Sequence, residues 1–302
     1  MSRQTGPRRL GARGLVLVLG LAVTGVVVVA PATPASAAVP GLVRVAVTSP
    51  ANSTDFRSVT ATCPVGKVLT GTGYEINGAL GEVVVDDLRP NGGPATAPTA
   101  VTVGAYEADA FTGVWTLTAY AVCANPVAGL VRVSATSAID SNDFHSVTAA
   151  CPRGKVLTGT GFEIVGATGE ALVDDFVPNG STVVAPTAVT VGAYEADTFF
   201  GNWLVIAYGI CANPLAGLAR ATVVGPANSN DFHSTTAVCP VNKVMVGAGY
   251  QLNGVTGEGV VDDFRPNGST LVAPTAITVG AYEEDAFAGS WTNTAYAICA
   301  NR

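Results

Sequence analysis

From Leu42 onward, apolar and polar positions alternate with a period of two, and no window carries a helical stripe. Val43, Val45 and Val47 alternate with Leu42, Arg44 and Ala46, which predicts a first strand. The turn cluster Ser49-Pro50-Ala51-Asn52-Ser53 follows, then a second strand over residues 59–63, ended by Pro64. Residues 67–76 read as a third strand, in which Gly71 and Gly73 mark a bend, a bulge or a close backbone approach. Residues 82–88 form a fourth, stopped by Pro90-Asn91-Gly92. Residues 100–106 and 114–123 give a fifth and a sixth.

The same pattern is written three times. Copies of 88 residues begin at Gly41, Gly129 and Gly217, and the first two share 59 identical positions without a gap. Repetition of this kind outranks local signals when an architecture is read. The expectation is an all-β protein of three tandem antiparallel sandwich or prism-like units. The units span residues 38–128, 129–216 and 217–302, after a leader over residues 1–37. Asn125-Pro126-Val127-Ala128 and Asn213-Pro214-Leu215-Ala216 are too short to leave slack, so neighbouring units touch. A rigid row and a pseudo-threefold cluster both satisfy that constraint.

Residues 1–37 have the form of a secretory signal. Arg3, Arg8, Arg9 and Arg13 precede the apolar stretch from Leu15 to Ala30 and the small-residue site Ala35-Ser36-Ala37. Export into an oxidising compartment gives the six cysteines a role as disulfides. Six thiols allow 15 pairings. Two cysteines per copy, 60 residues apart, make Cys63–Cys123, Cys151–Cys211 and Cys239–Cys299 the parsimonious set. Without its leader the chain carries 11 basic and 22 acidic side chains. That balance argues against nucleic acid and against an anionic membrane as partners, since both need a cationic footprint; no membrane insertion is expected, and the location is expected to be extracellular.

On the last strand Trp115, Leu117, Ala119, Ala121 and Cys123 share one face, which is expected to point inward with the disulfide. Trp203 and Trp291 follow the same rule. Tyr120, Tyr208 and Tyr296 fall on the opposite face and are better placed to be exposed aromatics, though a second sheet over that face would bury them. Three polar constellations recur. Asp55-Phe56-Arg57-Ser58 becomes Asp143-Phe144-His145-Ser146 and Asp231-Phe232-His233-Ser234. Neighbours on an extended chain point to opposite faces, so a hydrolytic triad within this string is disfavoured. The pairs Asp86-Asp87, Asp174-Asp175 and Asp262-Asp263 precede the Pro-Asn-Gly turn and read as a solvated strand end. Glu107 with Asp109, Glu195 with Asp197 and Glu283 with Asp285 share a face of the loop before the tryptophan strand. Together with the neighbouring tyrosines they are the candidate ligand-binding residues. No metal or other cofactor is expected. Calcium is the one cation that Asp86, Asp87, Glu107 and Asp109 would suit, if they came together.

The string Cys-Pro-x-Gly-Lys-Val-Leu-Thr-Gly-Thr-Gly, closed by Trp-x-x-x-Ala-Tyr-x-x-Cys-Ala-Asn, resembles exported repeat proteins of actinobacteria, most without an assigned function. The resemblance covers residues 41–302 through Cys63, Pro64, Gly66, Gly71, Gly73, Trp115, Tyr120 and Cys123 and their counterparts. A fainter similarity links Thr-Ala-x-Cys-Pro-x-Gly to the shorter repeats of the vitelline membrane outer layer protein, and implies a threefold β-prism as an alternative. Neither resemblance implies a catalytic residue. The expected role is non-catalytic interaction in the extracellular space or cell envelope, structural or adhesive. Glycan binding by a lectin-like module is the alternative, and a secreted hydrolase is the least favoured.

Overall fold

Every repeat gives half of itself to each of two sheets, so no sheet belongs to one repeat. The computed structural model describes residues 38–302; the leader expected over residues 1–37 lies outside them. In repeat 1 the strands are β1 (Val43–Thr48), β2 (Phe56–Thr62), β3 (Val68–Asn77), β4 (Val83–Pro90), β5 (Ala100–Glu107) and β6 (Thr116–Ala124). Repeat 2 supplies β7 (Val131–Thr136), β8 (Phe144–Ala150), β9 (Val156–Val165), β10 (Ala171–Pro178), β11 (Ala188–Glu195) and β12 (Leu204–Ala212). Repeat 3 supplies β13 (Ala219–Val224), β14 (Phe232–Val238), β15 (Lys243–Asn253), β16 (Gly259–Pro266), β17 (Ala276–Glu283) and β18 (Thr292–Asn301). All pairings are antiparallel, and the described residues contain no helix, hence none able to cross a membrane.

The three sheets run β1-β6-β3-β16-β17-β14, β13-β18-β15-β10-β11-β8 and β2-β5-β4-β9-β12-β7. Repeat 1 thus hands over to repeat 2 at β4/β9, repeat 2 to repeat 3 at β10/β15, and repeat 3 back to repeat 1 at β16/β3. The third handover closes the set, which selects the pseudo-threefold cluster over the row. Within a repeat the two three-stranded halves pack face to face, β2 and β5 against β6. The sandwich and the prism are therefore both present, one inside the other. Disulfides Cys63–Cys123, Cys151–Cys211 and Cys239–Cys299 tie the two halves of each repeat. Each closes a span of 60 residues, worth about 4 kcal/mol by loop entropy. They mark a fold suited to an oxidising environment.

Each seam holds only two residue pairs, Leu88↔Phe162, Phe176↔Tyr250 and Phe264↔Tyr74 with their neighbours. These six side chains are fully buried. The five rings among them meet edge-to-face or tilted, Phe176 lying 5.2 Å from Phe162, 5.5 Å from Tyr250 and 5.7 Å from Phe264. Around them β3, β9 and β15 pass at backbone contact. A Cβ on Gly71 would stand 2.3 Å from Val246 O, one on Gly159 2.1 Å from Thr70 O, and one on Gly247 2.1 Å from Thr158 O. Only glycine permits that approach, and a register shift between Leu69 and Gly71 accompanies it. Thr72 and Thr160 then donate their hydroxyls to Thr160 O (2.7 Å) and Ala248 O (2.6 Å) across the seams.

The register gives the ring two distinct ends. Val43 faces Cys123, Val68 faces Ala124 and Thr62 faces Ala100, so the disulfide, the Cys-Pro-x-Gly-Lys turn and the loop after Pro90 lie at one end. Val83 faces Glu107 and Asn52 bridges Trp115, which places the acidic loop and the tryptophan at the other. The tryptophan is buried on the disulfide's face, as its phase predicts. It sits eight residues from the bridge, about 26 Å along the strand at 3.3 Å per residue. Loops from the neighbouring repeat cap the edge of each first strand. Arg44 N–H donates to Ser269 O, Arg132 N–H to Gly93 O and Arg220 N–H to Ser181 O.

Replacing Gly159 by alanine drives a methyl into the Thr70 carbonyl, a backbone atom that cannot swing aside. The expected cost is about 3 kcal/mol, at the upper end for overpacking, because the strand pair must part. Urea unfolding checks this. A Gly66→Ala control, whose Cβ meets nothing within 4 Å but whose φ is +82°, should cost about 1 kcal/mol.

Candidate functional site

The acidic loop is built around tryptophan. Glu107 Oε1 accepts the indole N–H of Trp115 at 2.9 Å, and its Oε2 accepts the Phe111 N–H at 3.2 Å. Glu195 holds Trp203 and Phe199, and Glu283 holds Trp291 and Phe287, in the same way. Both oxygens of each glutamate are thus occupied in folding the loop. Asp109, Asp197 and Asp285 project from the same end. Ala108 and Ala196 pack on the cluster of Val84, Leu172 and Val260, one side chain from each repeat. Repeat 3 has Glu284 at that position, among Asp285, Asp197, Glu258 and Asp109. Burial and those like charges push its carboxyl up to about 7. Glu107 and Asp109 do not join Asp86 and Asp87: among the described residues no three acidic, histidine or cysteine side chains come together as a metal-ligand group.

Two sequence expectations are corrected. Tyr120, Tyr208 and Tyr296 are buried. Arg44, Arg132 and Arg220 lie over their rings at 4.7, 4.7 and 4.5 Å, and their hydroxyls donate to Glu75, Glu163 and Gln251. The guanidinium of the edge strand covers the face that one-sided alternation would leave open. Asp86, Asp174 and Asp262 are not solvated either. A bulge after Val85, Val173 and Val261 turns them inward, where they are buried. Each accepts a backbone N–H of the next repeat: Gly169 to Asp86 at 3.1 Å, Gly257 to Asp174 at 3.2 Å and Gly81 to Asp262 at 3.1 Å. Burial raises all three carboxyls well above the ordinary range, against the lowering effect of that hydrogen bond. The second oxygens of Asp174 and Asp262 have no partner among the described residues. Asp87, Asp175 and Asp263 face outward across Gly104, Gly192 and Gly280.

Arg57, His145 and His233 are buried and pack against the tryptophans, at 4.1, 4.2 and 3.8 Å, His145 edge-on and His233 tilted. Repeat 2 brings a serine, a histidine and an aspartate near one another. Ser137 Oγ lies 3.2 Å from His145 Nδ1, and Asp140 Oδ1 lies 3.4 Å from Nε2 without hydrogen-bond geometry. The serine has another task. Val205 N–H donates to its Oγ at 3.0 Å, as Leu117 N–H does to Ser49 Oγ in repeat 1, where an arginine replaces the histidine. The same backbone bond to the serine is thus made in a repeat with histidine and in one with arginine, and Ser137 Oγ also donates to Ala138 O at 3.0 Å.

The exposed aromatics are elsewhere. Phe56 faces Tyr106 across β2/β5, Phe144 faces Tyr194 and Phe232 faces Tyr282, with centroids 4.4, 4.3 and 4.5 Å apart. The three phenylalanines are 40–43 % exposed. Burial, and after it Asp86, Asp87 and Asp55, raise the pKa of the Tyr106 hydroxyl; Tyr194 and Tyr282 are raised by burial and the equivalent aspartates. Ser58 and Gly104 form the next cross-strand row, and Asp87 lies across it. Period two holds the clue: Phe56 is out of phase with the buried Arg57, Val59 and Ala61, and Tyr106 with Val101, Val103 and Ala105. Comparison with protein-family models and with curated proteins finds no match for the chain.

The raised carboxyls set the sign of a pH dependence. A group whose folded pKa is raised stabilises the fold fully below its unfolded value. That stability is lost as pH rises through the folded value. For Glu284 the window runs from 4.5 to about 7. Glu284→Ala, the residue of repeats 1 and 2, should therefore raise the melting temperature at pH 8 and leave it unchanged at pH 4. Asp174→Asn should do the same with a larger shift, because Asp174 is buried and half exposed Glu284 is screened by solvent.

Proposed function

We propose that the protein is a secreted, non-catalytic interaction module of the extracellular space or cell envelope, and that its ligand is a glycan. The observation that carries the reading is the threefold recurrence of a half-exposed Phe–Tyr pair beside hydroxyl and carboxylate groups. Aromatic faces offer apolar C–H-bearing sugar faces a large contact area. The adjacent Ser58 hydroxyl and Asp87 carboxylate supply acceptors for sugar hydroxyls. The three platforms lie on β2, β8 and β14, the edge strands of three different sheets. They point in three directions, so three separate ligand chains are engaged and cross-linked.

The export reading rests on the leader pattern of residues 1–37 and agrees with three disulfides. The non-catalytic reading rests on the structural use of each candidate acid, base and nucleophile.

A glycan array identifies the sugar, and titration with a short oligosaccharide should then give three equivalent sites. Phe56→Ala should remove one site and leave the melting temperature within about 2 °C, since the ring is half exposed. Phe56→Ala with Phe144→Ala and Phe232→Ala should abolish binding and the cross-linking of a polysaccharide. Unchanged binding by the triple variant would refute the assignment.

A further inference from the structure

The net charge of this chain conceals a separation of charge. None of its 22 acidic side chains falls in the turns and loops of the disulfide end, over residues 38–43, 62–68, 90–100, 123–131, 150–156, 178–188, 211–219, 238–244, 266–276 and 299–302. All three lysines, Lys67, Lys155 and Lys243, lie there, with Arg153 and Arg302. The ammonium groups donate to Gly41 O, Gly129 O and Gly217 O. These acceptors are neutral and leave the positive charge uncompensated. The carboxylates of Asp109, Asp197, Asp285 and Glu284 lie at the far end.

The basic end also carries the most exposed aliphatic side chains of the body. Val65, Val183, Val241 and Leu271 are at least 89 % exposed, and Val184 and Val272 more than half. All six sit at turn or loop tips that follow a strand ending at this end. Thr182 of one loop lines a cleft with Pro240 and Lys243 of the next repeat, so apolar tip and lysine are neighbours at that seam. Leu271 and Val272 share a cleft with Arg302 at another. A soluble polyanion would use the cations and gain nothing from the valines. A bilayer surface uses both: anionic headgroups meet the lysines and arginines, and aliphatic tips enter the acyl boundary.

We propose that the disulfide end is a docking surface for an anionic lipid bilayer. Docked this way, the ring axis stands on the membrane, and the acidic end points away from it. The inference is independent of the glycan reading, because the Phe–Tyr platforms lie toward the opposite end of the strands.

The test is co-sedimentation of the chain freed of its leader (residues 38–302, which build the whole ring) with two kinds of vesicle. One is pure phosphatidylcholine, and the other contains one third phosphatidylglycerol. The expected result is binding to the anionic vesicles that is at least tenfold tighter than to the neutral ones and weakens with salt. Combining Val183→Ser, Val184→Ser, Leu271→Ser and Val272→Ser should reduce it at least tenfold, as should Arg153→Glu with Arg302→Glu. Both sets are exposed, and an unchanged melting curve verifies that the fold is intact. Phe200→Ser, an exposed residue at the acidic end, should bind as the parent does. The proposal fails if the parent ignores anionic vesicles or if the serine variant binds them fully. It fails equally if immobilised dextran sulfate retains parent and serine variant alike, which would make the end a polyanion site.

Discussion

Three strands from three repeats, β3, β9 and β15, touch backbone to backbone on the pseudo-threefold axis, and everything else in the ring is arranged around that contact. Gly71, Gly159 and Gly247 each leave no room for a methyl, and each points at the carbonyl of the preceding strand in the cycle. Such proximity lets two residue pairs per seam suffice. The half-sheets then diverge, and the six-residue core of Leu88, Phe176, Phe264, Tyr74, Phe162 and Tyr250 fills the space between them. An open row of the same repeats would leave one β3-type and one β4-type strand edge bare, together with half of this core. Closure satisfies both edges with one another.

The seams show how copies of one sequence drift while the contact is kept. Seams 1–2 and 3–1 carry the ion pairs Arg89–Glu163 at 3.2 Å and Arg265–Glu75 at 3.1 Å. At seam 2–3 the arginine is Val177 and the glutamate is Gln251, so both charges have gone together. Gln251 instead donates to Asp175 at 2.9 Å and accepts from Tyr296 at 2.9 Å. A glutamate in place of Gln251, with no arginine opposite, would stand unpaired beside Tyr296 and Asp175. The tyrosine ring has also lost its hydroxyl once. Tyr74 and Tyr250 approach each other at 3.4 Å, while Phe162 occupies the third place without a polar atom to satisfy.

Strand positions, the all-β class and the disulfides are legible because they depend on local alternation and on repeat arithmetic. The predicted third strand, residues 67–76, differs from β3 by one residue at each end. Gly71 and Gly73 announce a close approach, but their partners lie in other repeats and leave no mark near them in sequence. The same blindness explains the misplaced tyrosines. Phase puts Tyr120 on the face opposite Trp115, and it is there; a side chain 76 residues earlier, Arg44, covers it. Asp86 fails for a different reason. One bulge residue breaks period two, and the buried position then falls on a charged residue that the strand pattern assigns to water. Phe56 and Tyr106 were readable, since both are out of phase with the core.

Closure also decides how the ring can meet a ligand. Three identical platforms on a flexible string would reach one polymer chain together, and linkage would multiply their affinities through a high local concentration. Here the platforms are fixed on separate sheets around the axis. No linker remains to bring two of them to one short segment, because Asn125-Pro126-Val127-Ala128 is short and tied back to its own repeat, Asn125 N–H donating to Pro40 O. Multivalency on one short ligand is therefore excluded by geometry, and multivalency between ligands is favoured. If the platforms bind a glycan as proposed, such a ring would join a network rather than grip one strand, because each node would have three arms at fixed angles. That property needs no catalytic residue and no metal. It needs rigidity, which the glycine contact, the buried seam carboxyls and one disulfide per repeat supply.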